Sequence, residues 1–197
     1  KTASTESNNY HLVPALTGNH LLYSPFEYKR RESFAVDVIG LQQVPVVIAD
    51  FSKIGKNLKE NYGLEFCYHN HGFEFAPYDG GTFFDYIAKN TDSKYVNFEM
   101  DILWTFFPGI DPAKLLEQYP NRFKLMHVKD LKKGVVGNLS GATSSENDVA
   151  LGTGQLDLPA IMKAAKKAKI QHYYIEDESS LHALQVPESI KYLHSIQ

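Results

Sequence analysis

The sequence predicts an α/β fold built on a parallel sheet, and three observations support that reading. Apolar runs of strand length alternate with helix-length segments of 3.6-residue periodicity over the C-terminal four-fifths of the chain. Alternation of this kind is the signature of strand-helix units with parallel strands. Four acidic or histidine clusters also follow successive strand-like runs: Tyr68-His69-Asn70-His71-Gly72-Phe73-Glu74, Glu99-Met100-Asp101, His127-Val128-Lys129-Asp130 and Glu176-Asp177-Glu178. Carboxylates and imidazoles repeated at the same ends of parallel strands are where such folds place metal ions and catalysis.

Taken in order, the polar start from Lys1 to Asn9 reads as a frayed end, with the remnant of a processed export signal as the alternative. Leu12-Val13 and Leu21-Leu22-Tyr23 have the character of short strands, and Glu27 to Val38 that of a helix. Val44 to Ile48 reads as a buried strand weakened by Pro45. Phe51, Ile54 and Leu58 then follow with helical spacing, and Gly63 stands where a helix C-cap belongs. Leu64 to His69 is the next strand. A turn at Pro77-Tyr78-Asp79-Gly80-Gly81 leads to a helix carrying Phe84, Ile87 and Ala88. Tyr95 to Asp101 is a strand, and Asp111-Pro112 opens a helix with Asp as N-cap and Pro in its first turn. Phe123 to Val128 is a strand. Residues 131 to 154, rich in Gly, Ser, Asn and Lys, form one long loop of the kind that usually carries function. Leu158 to Ala168 is helical, His172 to Glu176 is a strand, and a closing helix runs from Pro187.

The 197 residues suit a single domain spanning residues 1–197, with 1–40 poorly assigned. A net charge of -3 leaves no basic footprint for nucleic acid. Lone Cys67 excludes an intramolecular disulfide and a cysteine zinc site. No apolar run approaches the roughly 20 residues of a membrane span. The expected location is the cytoplasm, or the periplasm if an export signal has been removed.

Strand alternation sorts each cluster into faces. Leu125, His127 and Lys129 share one face, as do Asn97, Glu99 and Asp101, then His172, Tyr174, Glu176 and Glu178, and Cys67, His69 and His71. These faces are too polar to meet outer helices, whereas Phe98, Met100, Met126, Val128, Tyr173 and Ile175 suit that side. Asp101, His127 and Glu176 therefore converge inward. Carboxylates with one or two imidazoles suit a divalent cation such as Mn²⁺, Co²⁺ or Zn²⁺. Such an ion, chelated by a carbonyl and a neighbouring hydroxyl, acidifies the carbon-bound proton between them and favours enediolate chemistry. Blander readings stand beside this one. Asp101 or Asp130 can be a helix cap, Glu99 half of an interior ion pair, and Trp104 ordinary packing or an aromatic wall for a sugar.

Tyr68-His69-Asn70-His71 with Phe73-Glu74-Phe75, Met100-Asp101-x-x-Trp104, His127-Val128-Lys129-Asp130, Gly152-Thr153-Gly154-x-x-Asp157 and Ile175-Glu176 together resemble the sugar phosphate isomerase/epimerase family. This is the xylose isomerase-like superfamily, which includes ketose 3-epimerases, inosose dehydratase and endonuclease IV. The resemblance covers about residues 40 to 197. It implies a TIM (β/α)₈-type barrel, here abbreviated or incomplete at the N-terminus, with strands 4–8 recognisable. It implies a metal held by a Glu, Asp, His, Glu set, of which Asp101, His127 and Glu176 match the last three. No Glu stands at the first position; His71, His69 or Glu74 takes it, His71 being favoured, with Glu74 close to substrate. His69 and Trp104 are assigned to substrate, and Glu74, Lys129 and Glu176 to proton transfer. The expected activity is metal-dependent isomerisation or epimerisation of a sugar or sugar phosphate. A keto-sugar or inosose dehydratase or lyase, and a non-catalytic carbohydrate-binding barrel, are the alternatives. The partner expected is a small sugar or keto-sugar, not DNA, and missing strands favour a homo-oligomer.

Overall fold

The computed structural model describes residues 20–23 and 44–196. In chain order they form β1 (His20–Tyr23), α1 (Val44–Tyr62), β2 (Glu65–His69), β3 (Pro77–Tyr78), β4 (Gly81–Thr82), α2 (Phe83–Asn90), β5 (Val96–Asp101), α3 (Ile102–Phe106), α4 (Pro112–Gln118), β6 (Phe123–Val128), α5 (Leu158–Ala168), β7 (His172–Ile175) and α6 (His182–Ser195). Five of the strands make one parallel sheet in the order β1-β2-β5-β6-β7. The two-residue strands β3 and β4 form a separate antiparallel pair. The predicted strand at Leu21–Tyr23 is β1; Leu12-Val13 and the helix at Glu27–Val38 lie outside the described residues.

Two predicted boundaries are corrected. Val44 to Ile48 is the first turn and a half of α1, not a strand. Pro45 falls where a helix has no need of its N–H, so it starts this helix rather than weakening a sheet. Ile48 and Phe51 lie three residues apart and are both buried against the sheet. Packing thereby overrides the β preference of the valines. The closing helix begins at His182, so Pro187 lies inside it. The turn Asp177–Leu181 starts the helix early: Asp177 accepts from the Ser179 N–H and hydroxyl, and Ser179 Oγ accepts from the Leu181 N–H.

The core lies between the sheet and its helices. Phe66 and Tyr68 of β2 meet Phe51 of α1, with ring centroids 5.4 and 5.0 Å apart. Phe84 of α2 packs on Phe98 and stacks on Phe123. Thr82 and Asp85 form a reciprocal capping box that starts α2. The opposite sheet face carries Cys67, His69, Asn97, Glu99, Asp101 and His127. Of these, all but His127 are buried.

Between β5 and β6 the register shifts by one residue: Phe98 pairs with Phe123, but Glu99 pairs with Leu125 and Asp101 with His127. Lys124 is the extra residue of this bulge. Strict alternation would put Phe123 on the same face as Leu125 and His127. The bulge instead lets Phe123 face the helices with Phe98 while His127 comes level with Asp101.

The long segment after β6 is tied down by one carboxylate. Asp130 accepts hydrogen bonds from the backbone N–H groups of Leu131, Gly152, Gly154 and Leu156, at 2.9 to 3.2 Å. A Cβ at Gly154 would come within 2.2 Å of Asp130 Oδ1, so this approach requires glycine. The Gly152-Thr153-Gly154 turn therefore wraps an internal carboxylate. Asp130→Ala is expected to leave four N–H groups unpaired and to cost roughly 3–5 kcal/mol. Urea unfolding measures the loss, and limited proteolysis should find new cleavage within residues 131–157.

Candidate metal centre

The pleat and register bring three side chains together at the C-terminal ends of β2, β5 and β6. His69, Asp101 and His127 each offer one ligand atom, and these atoms all lie within 4.8 Å of one another. Asp101 Oδ1 accepts the Trp104 N–H at 2.9 Å and caps α3, so the cap reading of Asp101 is correct for that oxygen. Its second oxygen, Oδ2, is buried and has no hydrogen-bond partner. Oδ2 lies 3.9 Å from His69 Nε2 and 3.7 Å from His127 Nδ1. Asn70, fully buried, locks this corner: its Oδ1 accepts the Asp101 N–H and its Nδ2 donates to Thr105.

Glu176, just beyond β7, extends the cluster, its Oε2 lying 2.9 Å from His127 Nδ1 and 3.1 Å from Lys129 Nζ. Lys129, 1% exposed, also contacts Glu178 at 3.1 Å and Asp148 at 3.4 Å. Asp148 belongs to the long loop and accepts the Glu178 N–H at 2.9 Å. Glu146 likewise accepts from Ser180. The loop thus holds the segment that carries Glu176 and Glu178. It also crosses the end of β2 and the end of α3, where Gly141 lies against His71 and Gly72, and Gly137 against the Phe107 carbonyl.

Burial opposes charge on His127, Glu176, Lys129 and Asp148, and mutual attraction overcomes it at the first three. Burial desolvates the His127 ring, yet the neighbouring carboxylates of Asp101, Glu176 and Glu99 raise its pKa to about 11. Burial pushes Glu176 up, but His127 and Lys129 outweigh it and hold the carboxyl well below its ordinary range. The surrounding carboxylates raise Lys129 despite its burial, so it remains an ammonium. Burial moves Asp148 up to about 6 even with Lys129 beside it.

The donor set fits a divalent ion. Glu99, Asp101, Asp148 and Glu176 outnumber the Lys129 ammonium and the charged His127 ring, and this surplus of negative charge away from water calls for a cation. Two imidazoles and two carboxylates are ligands that Zn²⁺, Co²⁺ and Mn²⁺ accept.

The remaining predicted residues lie around this centre. His71 stacks on Phe73, and its ring centroid is 5.0 Å from that of His69 and 5.7 Å from that of Trp104. Its Nδ1 is buried without a partner, and burial, aided by His69, lowers its pKa to about 3. Trp104 is buried, and its ring packs on Phe107. Glu74 is fully buried; its carboxylate accepts from the Tyr68 hydroxyl at 2.6 Å and the His71 N–H at 3.0 Å. Tyr68 belongs to the helix-facing side of β2, opposite His69, so Glu74 is engaged with the support of the turn. Sequence reasoning gave Asn70, Asp148 and Glu178 no role. Asp148 lies in a loop without periodicity, and Asn70 was overshadowed by the histidines beside it.

A family model, the xylose isomerase-like TIM barrel, matches residues 16–196, and the chain belongs to that family. Its fold is similar to that of a sugar phosphate isomerase/epimerase from Parabacteroides distasonis, with a TM-score of 0.65 and 27% identity over 90% of this chain and 57% of that one. It is similar in fold to the IolI protein with a bound zinc atom (TM-score 0.61, 17% identity, 90% of this chain and 62% of that one). A third similar fold is the probable 3-DHS dehydratase AsbF from Bacillus anthracis (TM-score 0.56, 12% identity, 79% and 56%). The chain thus spans less than two thirds of the length of these structures. No curated protein matches the sequence. Among the described residues, no helix is long and apolar enough to cross a membrane.

Burial lifts Glu74 from 4.5 to about 7, against the Tyr68 and His71 hydrogen bonds that favour its ionised form. A carboxyl whose pKa is raised on folding stabilises the fold fully below its unfolded value. That contribution is lost as pH rises through the folded one. Between pH 4.5 and 8 the loss is expected to be roughly 3 kcal/mol. Glu74→Gln should flatten the dependence, as read from urea unfolding at pH 5 and pH 8.

Proposed function

We propose that this chain is a metal-dependent enzyme that moves a proton beside the carbonyl of a sugar or keto-sugar, an isomerase or epimerase in the broad sense. The observation that carries the reading is the meeting of His69, Asp101 and His127, whose ligand atoms include the unpartnered, buried Asp101 Oδ2. With Glu176 they would hold the ion, His69 taking the place that the resemblance gave to His71. A divalent cation there supplies Lewis acidity, lowering the pKa of the proton next to a bound carbonyl.

Glu176 is the base of this proposal. Its side chain is 36% exposed, so it can reach a substrate, and its depressed pKa keeps it ionised. Lys129, 3.1 Å away, is the ammonium that stabilises a developing oxyanion and serves as the acid of the pair. Glu178, 60% exposed, is the partner that an entering substrate displaces from Lys129. His71 and Trp104 border the centre as a largely apolar wall that sugar carbons can contact. The amides of Gly152, Gly154 and Leu156 are taken by Asp130, so the reading does not rest on a phosphate at that turn. The likeness to the Parabacteroides sugar phosphate isomerase/epimerase supports a sugar substrate.

The adjacency of Glu176 and Lys129 also favours a second reading. A base and an acid on one side of a substrate suit proton transfer between neighbouring carbons on one face. They equally suit elimination of a β-hydroxyl, as in a dehydratase or lyase. Inversion at one carbon by two opposed bases has less support, since Glu74 is held in the turn.

The wild type is expected to bind close to one Mn²⁺, Co²⁺ or Zn²⁺, and Asp101→Asn or His127→Ala to lose it, as measured by elemental analysis. Lys129→Met should keep the metal and lower kcat by about 10²–10⁴. Ketoses and keto-glycosides incubated in deuterated water should gain carbon-bound deuterium if the enzyme is an isomerase; an unsaturated product marks the lyase. Unchanged metal content and turnover in Asp101→Asn and His127→Ala would refute the proposal.

A further inference from the structure

Glu99 lies two residues before Asp101 on the same face of β5 and is 1% exposed. The proton-transfer scheme gives it no task, yet it touches both histidines of the centre. Its Oε2 is 3.3 Å from His69 Nδ1, and its Oε1 is 3.3 Å from His127 Nε2. No hydrogen bond claims Glu99 Oε1 or His69 Nδ1, so no other group competes for them. The opposite nitrogens of the two rings, His69 Nε2 and His127 Nδ1, are the ones near Asp101 Oδ2. Each imidazole therefore has Glu99 at one nitrogen and Asp101 at the other, and at His127 the Asp101 side also carries Glu176, whose Oε2 lies 2.9 Å from Nδ1.

A neutral imidazole has one N–H and one lone pair, and an ionised carboxylate can only accept. A divalent ion held by Asp101 and Glu176 takes a lone pair from the nitrogen on their side, so in the metal-bound centre the hydrogen belongs on the nitrogen that faces Glu99. One side chain fixes this choice for both rings because its two oxygens point to different histidines. We infer that Glu99 is a positioning residue that sets both histidine tautomers at once, so that a divalent ion here is met by His69 Nε2 and His127 Nδ1 beside Asp101 Oδ2.

The two histidines thus present different nitrogens, an asymmetry with a physical origin. His69 pairs with Glu99 across β2 and β5, whereas His127 pairs with Asp101 across β5 and β6. The rings reach the same carboxylate from different levels of the sheet, so each turns a different edge toward it. A carboxylate behind a ligating histidine holds the ring orientation and raises its basicity, and losing one typically costs 10–100-fold in affinity. Glutamine cannot substitute: its Oε1 can accept from one ring, but its amide presents N–H to the other and reverses that tautomer.

This inference rests on the metal-centre reading, and the experiment separates the two. In ¹⁵N-labelled wild type loaded with Zn²⁺, long-range ¹H–¹⁵N spectra show which imidazole nitrogens carry hydrogen. His69 should be protonated at Nδ1 and His127 at Nε2. Competition with a chelator should give Glu99→Gln a Zn²⁺ affinity lower by about 10–100-fold, with one ring reversed. If Glu99→Gln fails to fold, as judged by circular dichroism, the wild-type spectra decide alone. Zinc bound through His127 Nε2 or His69 Nδ1 overturns the assignment while leaving the metal centre intact. A Glu99→Gln protein with wild-type affinity and tautomers does the same. A wild type that binds no Zn²⁺ overturns the metal reading itself.

Discussion

The centre depends on the register of three neighbouring strands. His69 stands level with Glu99 across β2 and β5, and Asp101 stands level with His127 across β5 and β6. Side chains of paired residues in a sheet point the same way, so these pairings put two imidazoles and two carboxylates on one surface. The second pairing requires the bulge at Lys124; without it Asp101 would stand beside Met126, and the site would lose a donor. The aromatic layer on the other face holds that register. Phe84, Phe98 and Phe123 pack together only if Phe123 faces the helices, which is what the extra residue permits. Core packing and site geometry are thus two consequences of one irregularity in the sheet.

Bringing so many carboxylates together is electrostatically costly, and the surrounding structure is arranged around that cost. Asp101 divides its oxygens, one capping α3 and one left for the centre. Lys129 sits among Asp148, Glu176 and Glu178 and balances part of the excess. Glu74 and Asp130 deal with their charge differently: Glu74 is enclosed by a hydroxyl and an amide, and Asp130 by four amides. These two acids hold turns in place, whereas the others leave atoms or exposure available for chemistry. The distinction is legible from hydrogen-bond partners alone.

The long loop after β6 links these roles. Asp130 anchors its return, Asp148 touches Lys129, and Glu146 and Asp148 together hold the Glu178–Ser180 turn. Its middle lies against Gly72, just beyond β2, and Phe107, at the end of α3. A loop of this length in a compact fold is justified by such contacts. It frames the centre on three strands while contributing only one charged group to it.

The sequence by itself determined the alternation of strands and helices, the parallel class and the inward sides of Asp101, His127 and Glu176. Those properties follow from local periodicity and from the mismatch between polar faces and apolar helices. Val44–Ile48 and Pro187 were misread because a short apolar run and a proline are each compatible with two local structures. Only packing against the sheet, or a turn formed several residues earlier, selects between them. Whether His69 or His71 joins Asp101 and His127, and whether Glu74 serves a turn or a substrate, was likewise beyond the sequence. Both residues of the first pair lie on the same predicted face, two positions apart, and Glu74 follows within one turn. The tertiary structure brings His69 to Asp101 and His127, and Glu74 to the Tyr68 hydroxyl, through the register of β2 against β5 and the fold of the turn after β2. Such distances are set by contacts between segments far apart in the chain, which no local pattern encodes.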